Sequence, residues 1–72
     1  MIYMFSHDIS FSNRVIEYIG AGEIISDETH LASAVREKIP QGIVFDLRSG
    51  LRPFRLMERI YMEEPHIIVF VI

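Results

Sequence analysis

Four short apolar runs alternate along the chain with three stretches in which apolar residues recur at helical spacing. The runs predict strands at residues 2–5, 23–26, 42–47 and 66–72. The third run opens with a continuous apolar stretch, which is typical of a strand buried on both faces of a sheet. The segments between the runs predict three helices, so the order of elements is β-α-β-α-β-α-β.

Apolar positions within the helical stretches define the faces that we expect to pack on the sheet. In the first two helices these positions are Phe11, Val15, Ile16, Tyr18 and Ile19, and Leu31, Ala34, Val35 and Ile39. The third helix carries Phe54, Met57, Ile60 and Tyr61 with Leu56 beside them, and exposed members of this set, such as Phe54, Met57 or Tyr61, are expected to complete a contact with a second copy of the chain. Candidate N-cap residues are Asp8, Ser10 or Ser12 for the first helix and Asp27 or Thr29 for the second. The Gly-Ala-Gly segment at 20–22 stops the first helix, and Pro53 fits only the first turn of the third.

Regular alternation of strands and helices predicts a single three-layer α/β domain over residues 1–72. Helical crossovers imply a parallel sheet with each crossover right-handed. The expected strand order is 2-1-3-4, as in a shortened flavodoxin-like fold. On this topology the second and third helices cover one face of the sheet, and the first helix alone covers the other.

Composition narrows the class of protein. The 72 residues are half apolar, the formal net charge is −3 and there is no cysteine. The high apolar share and low net charge exclude intrinsic disorder. The absence of cysteine excludes a disulfide framework, a thiolate zinc site and a cysteine nucleophile. No apolar run is long enough to span a bilayer, and the N-terminus lacks the basic region of a signal peptide. We therefore expect a cytoplasmic protein without membrane contacts.

The apolar share is high for so small a domain. A chain of this length buries only about 60% of the surface that it exposes when unfolded. A mean hydropathy of +0.26 then implies that some apolar surface is either exposed or covered by a partner.

Candidate chemistry lies at the predicted strand ends. Open parallel sheets bind ligands outside the carboxyl ends of their strands. Here these ends carry Ser6, His7 and Asp8 after the first strand, and Asp46 and Arg48 after the third. Asp8 and Asp46 together form a candidate metal site. The alternative is that Asp8 caps the first helix and Asp46 bonds nearby backbone amides.

The segment 42–48, Gly-Ile-Val-Phe-Asp-Leu-Arg, resembles the third strand of response-regulator receiver domains. In that family an aspartate at this strand end accepts a phosphoryl group. The resemblance extends over the whole chain and covers about the first two-thirds of a receiver. It implies that Asp46 is the phosphoacceptor and that Asp8 and Asp46 hold Mg²⁺.

Three departures from the receiver pattern change this expectation. The two acidic positions after the first strand are Ser6 and His7, the hydroxyl position at the end of the fourth strand is Val71, and the lysine after a fifth strand has no counterpart. Phosphoryl transfer depends on positioning and charge stabilisation, so the resemblance implies a truncated, degenerate receiver that is not an enzyme and needs no cofactor.

Two alternatives remain open. One is a working receiver, phosphorylated at Asp46 with Mg²⁺ as cofactor. The other follows from residues 43–50, Ile-Val-Phe-Asp-Leu-Arg-Ser-Gly, which are similar to the central strand and turn of the anti-sigma-antagonist (STAS) family. That similarity implies a phosphorylated serine at Ser49.

The fourth strand is the main candidate for an interaction surface. Soluble proteins avoid a long, uncharged apolar edge, because it pairs with other strands. We expect a second copy of the chain to pair with it antiparallel across a two-fold axis. The predicted dimer interface comprises Ile67, Ile68, Val69, Phe70, Val71 and Ile72. Alternatively, the chain is a piece of a longer regulator, in which a fifth strand or an effector domain covers this edge.

Basic residues recur along the third helix. Arg48, Arg52, Arg55 and Arg59 are spaced by four, three and four positions. Glutamates lie close by, so we expect a solvated face with an Arg59–Glu63 ion pair, and no binding of nucleic acid. His7, His30 and His66 have no metal-ligand spacing and are expected to face solvent.

Overall fold

A computed structural model describes residues 1–20 and 22–72, and it has the predicted α/β architecture. The elements are β1 (Ile2–Phe5), α1 (Ile9–Ile19), β2 (Glu23–Ile25), α2 (Glu28–Glu37), β3 (Gly42–Phe45), a 3₁₀ turn (Leu47–Ser49), α3 (Phe54–Glu63) and β4 (Ile68–Val71). Within the described part of the chain, no helix is long and apolar enough to cross a membrane.

The four strands form one parallel sheet in the order β2-β1-β3-β4, which confirms the predicted topology. Every residue of the inner strand β3 is buried. The predicted strands were one or two residues too long at several ends. Ser26 and Leu47 lie outside β2 and β3, and residues 66 and 67 precede β4. Hydrogen bonding between β3 and β4 nevertheless continues to Ile72, whose amide donates to the carbonyl of Phe45.

The two faces of the sheet are covered unequally, as the sequence predicted. Side chains of α2 and α3 bury one face and form the main core. This core consists of Tyr3, Phe5, Ile25, Leu31, Val35, Ile43, Phe45, Leu56, Ile60 and Ile67. The Tyr3 hydroxyl links the sheet to the end of α2 by hydrogen bonding. It lies 2.8 Å from the carbonyl oxygen of Lys38 and 3.2 Å from that of Ala34. The other face has only α1, which packs near β2.

Local signals set the ends of the helices. Asp8 caps α1 by accepting from the Phe11 amide, and Asp27 caps α2 by accepting from the His30 amide. Gly20 ends α1 in the left-handed conformation, which glycine adopts without a steric penalty. Residue 21, part of the predicted stop, lies outside the described residues.

Several predicted inward positions were wrong. Ile39 is exposed because α2 ends at Glu37, two residues before it. On α3, Phe54 and Tyr61 are exposed, as the sequence suggested, and Leu56 and Ile60 are buried against the core. Leu56 and Ile60 are four residues apart, so they lie on one side of the helix, and this side faces the core. On α1, Tyr18 and Ile19 are exposed as well, and Ser12 is buried in their place.

Candidate functional site

The carboxyl edge of the sheet brings together most of the predicted site residues. Ser6, His7 and Asp8 follow β1, and Asp46 follows β3, the neighbouring strand. The Asp46 amide donates to the carbonyl of Phe5, which ties the two strand ends together. Parallel pairing therefore places Asp46 beside Ser6, as expected for neighbouring strand ends.

All four acceptor positions of the Asp46 carboxylate are taken. Its Oδ1 accepts from the backbone amide of Arg48 at 3.1 Å and from Nε of Arg48 at 3.2 Å. Its Oδ2 accepts from the Ser6 hydroxyl at 2.7 Å and from Nη2 of Arg48 at 3.4 Å. The Asp46 side chain is fully buried, whereas 48% of the Arg48 side chain is exposed. The carboxylate is thus neutralised and enclosed by its own chain.

The surroundings of Asp46 hold this arrangement in place. The guanidinium carbon of Arg48 lies 3.9 Å from the centre of the Phe11 ring, a favourable cation–π contact. The Ser49 hydroxyl donates to the Asp46 carbonyl and accepts from the His7 amide. The 3₁₀ turn after β3 is therefore tied both to the end of β1 and, through Phe11, to α1.

Asp8 is engaged separately. Its Oδ1 accepts from the Phe11 amide at 3.0 Å, and its own amide donates to the Ser6 hydroxyl at 2.9 Å. Within residues 1–20 and 22–72, no group of three or more histidine or acidic side chains is placed to hold a metal ion. Binding of Mg²⁺ by Asp8 and Asp46, and phosphorylation of Asp46 or Ser49, stay predictions. Metal binding by Asp46 and phosphorylation of Asp46 would each require Arg48 to move away from the carboxylate.

Sequence reasoning missed the parts that Ser6 and Phe11 play here. Ser6 was placed at the candidate site and at a position where receivers carry an acid, but its role as a bridge was not predicted: its buried hydroxyl donates to Asp46 and accepts from the Asp8 amide. A small hydroxyl residue directly after a buried strand and two residues before a helix cap was the available signal.

A second candidate region is the outer edge of β4. Four apolar side chains at this edge are exposed to solvent. Their exposed fractions are 59% for Ile68, 48% for Phe70, 54% for Val71 and 42% for Ile72. Ile68, Phe70 and Ile72 alternate along the strand and so share the sheet face that α1 leaves open. The Phe70 ring packs close to Gly42, since a Cβ atom on that glycine would lie 3.3 Å from Cε2 of the ring.

Two residues of the predicted interface belong to the core side of the sheet. Ile67 is buried among core residues, and Val69 packs against them. The Ile67 amide also donates to the carbonyl of Glu64. Ile67 therefore cannot contribute its side chain to an interface, and the available surface is narrower than the six residues predicted.

The predicted arginine stripe is divided. Arg48 binds Asp46, and Arg52 donates to the carbonyls of Leu47 and Leu51. The expected Arg59–Glu63 ion pair is not formed. Among the described residues, Arg48 and Asp46 form the sole salt bridge. The three histidines are exposed, as predicted, and His7 Nε2 lies 3.1 Å from the Ser26 carbonyl.

Comparison of the chain with protein-family models, with curated proteins and with solved structures found no match. The resemblance to receiver domains therefore stays a prediction.

Proposed function

We propose that this protein is a non-enzymatic, receiver-like interaction module that forms a homodimer through the outer edge of β4. The observation that carries the proposal is the exposed apolar row Ile68, Phe70 and Ile72 beside an unpaired strand edge. A strand edge of this kind pairs readily with another strand. A regulatory role for the dimer, alone or joined to an effector domain, follows from the receiver resemblance.

The backbone of β4 has hydrogen-bonding groups available for such pairing. Ile68 and Ile72 donate their amides to β3, at the carbonyls of Gln41 and Phe45. Successive residues of a strand direct their backbone groups to alternate sides. Val69 and Val71 therefore present their N–H and C=O groups at the outer edge, which gives each protomer two donors and two acceptors.

One register satisfies all of these groups. With the two-fold axis at Phe70, Val69 of each protomer lies opposite the partner subunit's Val71, and each pair exchanges two hydrogen bonds. An axis at Val69 would instead pair Val71 with Ile67 of the partner subunit, whose amide is already bonded to Glu64. We therefore infer a two-fold axis at Phe70.

The same register makes the apolar row self-complementary. Residues directly opposite in an antiparallel pair point to the same face, so each Phe70 meets the partner's Phe70, and each Ile68 meets the partner's Ile72. These contacts would cover the part of the sheet that α1 does not reach. Aromatic pairing and removal of apolar surface from water both favour this association.

Sedimentation equilibrium tests the dimer. We expect the wild-type chain to be dimeric at micromolar concentration, and Phe70→Lys to be monomeric because two charges would lie opposite each other. Tyr18→Lys is the matched control: it replaces a 94% exposed aromatic residue on α1 and should leave the dimer intact. A folded wild-type monomer at all accessible concentrations would refute the proposal.

Cysteine cross-linking tests the register, because the chain has no cysteine of its own. Opposite residues of a non-hydrogen-bonded pair have Cα atoms about 4.5 Å apart, within reach of a disulfide. Phe70→Cys should therefore oxidise rapidly to a covalent dimer. Val71→Cys, which lies opposite Val69 of the partner subunit, should cross-link slowly. The reverse order would place the axis at Val71 and exclude the register proposed.

A further inference from the structure

A groove between α2 and α3 lies on the opposite face from the proposed dimer contact. The groove has a volume of about 370 Å³, and its lining includes the small or apolar side chains of Ala32 and Leu56. Arg36 lines it from α2, and Arg55 and Arg59 line it from α3. Three of the seven basic residues of a protein with net charge −3 are thus gathered at one site.

These three guanidinium groups form no ion pair within the described parts of the chain. None of them takes part in a salt bridge or in a side-chain hydrogen bond there, in contrast to Arg48 and Arg52. One carboxylate, that of Glu28, lines the groove itself, which leaves the groove with a positive balance, and Glu63 and Glu64 line the smaller cavity beside it. Like charges held close together repel, so an anion that binds between them gains attraction from each.

We propose that this groove binds a phosphomonoester, with Arg36, Arg55 and Arg59 holding the phosphoryl oxygens and the organic part lying against Ala32 and Leu56. A phosphomonoester carries a charge of about −1.5 to −2 and three free acceptor oxygens at neutral pH. Guanidinium groups offer paired donors that suit such oxygens. Three arginines arriving from two helices match this anion better than they match a carboxylate, which has two oxygens and a single charge.

Titration of the full chain with phenyl phosphate, followed by two-dimensional NMR of the backbone amides, tests the site. We expect saturable shifts at Ala32 and Leu56. Arg36→Gln and Arg59→Gln should each weaken binding about tenfold through loss of a charge-assisted contact. Glu28→Gln should strengthen binding, because it removes the one negative charge from the groove. These three residues are exposed, so the variants are expected to keep the wild-type spectrum elsewhere.

Further probes decide between ligand classes. Inorganic phosphate should shift the same residues and bind more weakly than phenyl phosphate, since it lacks the organic part. Benzoate that binds as tightly as phenyl phosphate would overturn the assignment to a phosphomonoester. Shifts confined to Asp46 and Arg48, or none that saturate, would overturn the site itself. Phe70→Lys should bind phenyl phosphate as the wild type does, so failure of the dimer and failure of this site are distinguishable.

Discussion

The carboxyl edge around Asp46 and the outer edge of β4 differ in how completely their polar groups are paired. At the first, a buried carboxylate has all its acceptor positions filled by Ser6 and Arg48. At the second, the chain leaves a strand edge unpaired and an apolar row exposed. Residues that suggested chemistry in the sequence are thus paired within the fold, whereas most of the residues that suggested an interface are exposed.

This comparison separates stability from association. Changes at Asp46 should lower the free energy of unfolding of a single protomer. Changes at Phe70 should alter assembly and leave that free energy nearly unchanged, because Phe70 is half-exposed in one protomer. Four substitutions or treatments test this separation, and all unfolding measurements use the Phe70→Lys background so that dimer dissociation does not contribute.

The largest effect is expected for Asp46→Ala. The change leaves the buried Ser6 hydroxyl and the Arg48 amide without their acceptor, which should cost about 2–3 kcal/mol of unfolding free energy. Urea denaturation measures this loss. Asp8→Ala is the control, since it removes only an exposed helix cap and should cost about 1 kcal/mol. Equal losses in the two variants would mean that the Asp46 network does not stabilise the fold as described.

Gly42→Ala should affect both regions at once. The added Cβ atom would lie 3.1 Å from the Ile68 carbonyl oxygen and 3.3 Å from the Phe70 ring. In the Phe70→Lys background the contacts with the Ile68 carbonyl and with Cδ1 of Ile2, also 3.1 Å away, remain. This crowding should cost about 1–3 kcal/mol, measured by urea denaturation. In the otherwise wild-type chain, the displaced Phe70 ring should also weaken the dimer in sedimentation. Loss of stability with an unchanged dimer would show that Phe70 does not depend on its packing over Gly42.

A smaller effect is expected for Tyr3→Phe, which removes the hydroxyl that bonds the end of α2 and should cost about 1 kcal/mol. Burial, followed by the nearby carboxylates Glu23 and Glu37, raises the pKa of the Tyr3 hydroxyl above its ordinary value of 10.0. The unfolded chain therefore loses this proton first as the pH rises, and the folded form loses stability from about pH 10 upward. Unfolding free energy measured against pH should fall less steeply in Tyr3→Phe than in the parent.

No change at all is expected when the wild-type chain is incubated with acetyl phosphate and Mg²⁺. The Asp46 carboxylate is enclosed by Arg48 and Ser6, so intact-mass measurement should detect no added phosphoryl group. Arg48→Ala, which uncovers the carboxylate, is the informative partner experiment. A phosphoryl adduct on the wild type that disappears in Asp46→Asn would restore the phosphoacceptor alternative.

Local and periodic signals were sufficient to predict the fold. The alternation of elements gave the parallel sheet, and short-range capping by Asp8 and Asp27 fixed two helix starts. The orientation of α3 about its axis was predicted only in part, because apolar residues occupy most sides of that helix: Phe54 and Tyr61 are exposed as suggested, whereas Met57 packs against the core. Which of these side chains faces the core depends on the position at which the preceding loop ends and α3 begins.

The site was predicted in part. Parallel pairing of β1 and β3 was enough to bring Ser6 and Asp46 together. The length of the Arg48 side chain and its contact with the Phe11 ring, which close the site, depend on three-dimensional packing between distant segments. The arginine groove was missed for the same reason, since Arg36 lies on a different helix from Arg55 and Arg59.

The other edge of the sheet limits how far assembly can go. Strand β2 has three residues, and its first, Glu23, is exposed and charged. Once two copies join through β4, both ends of the combined eight-stranded sheet are β2 strands, which are too short and too polar to recruit another copy. The proposed association would therefore be finite: it would stop at two chains and would not propagate into a fibre.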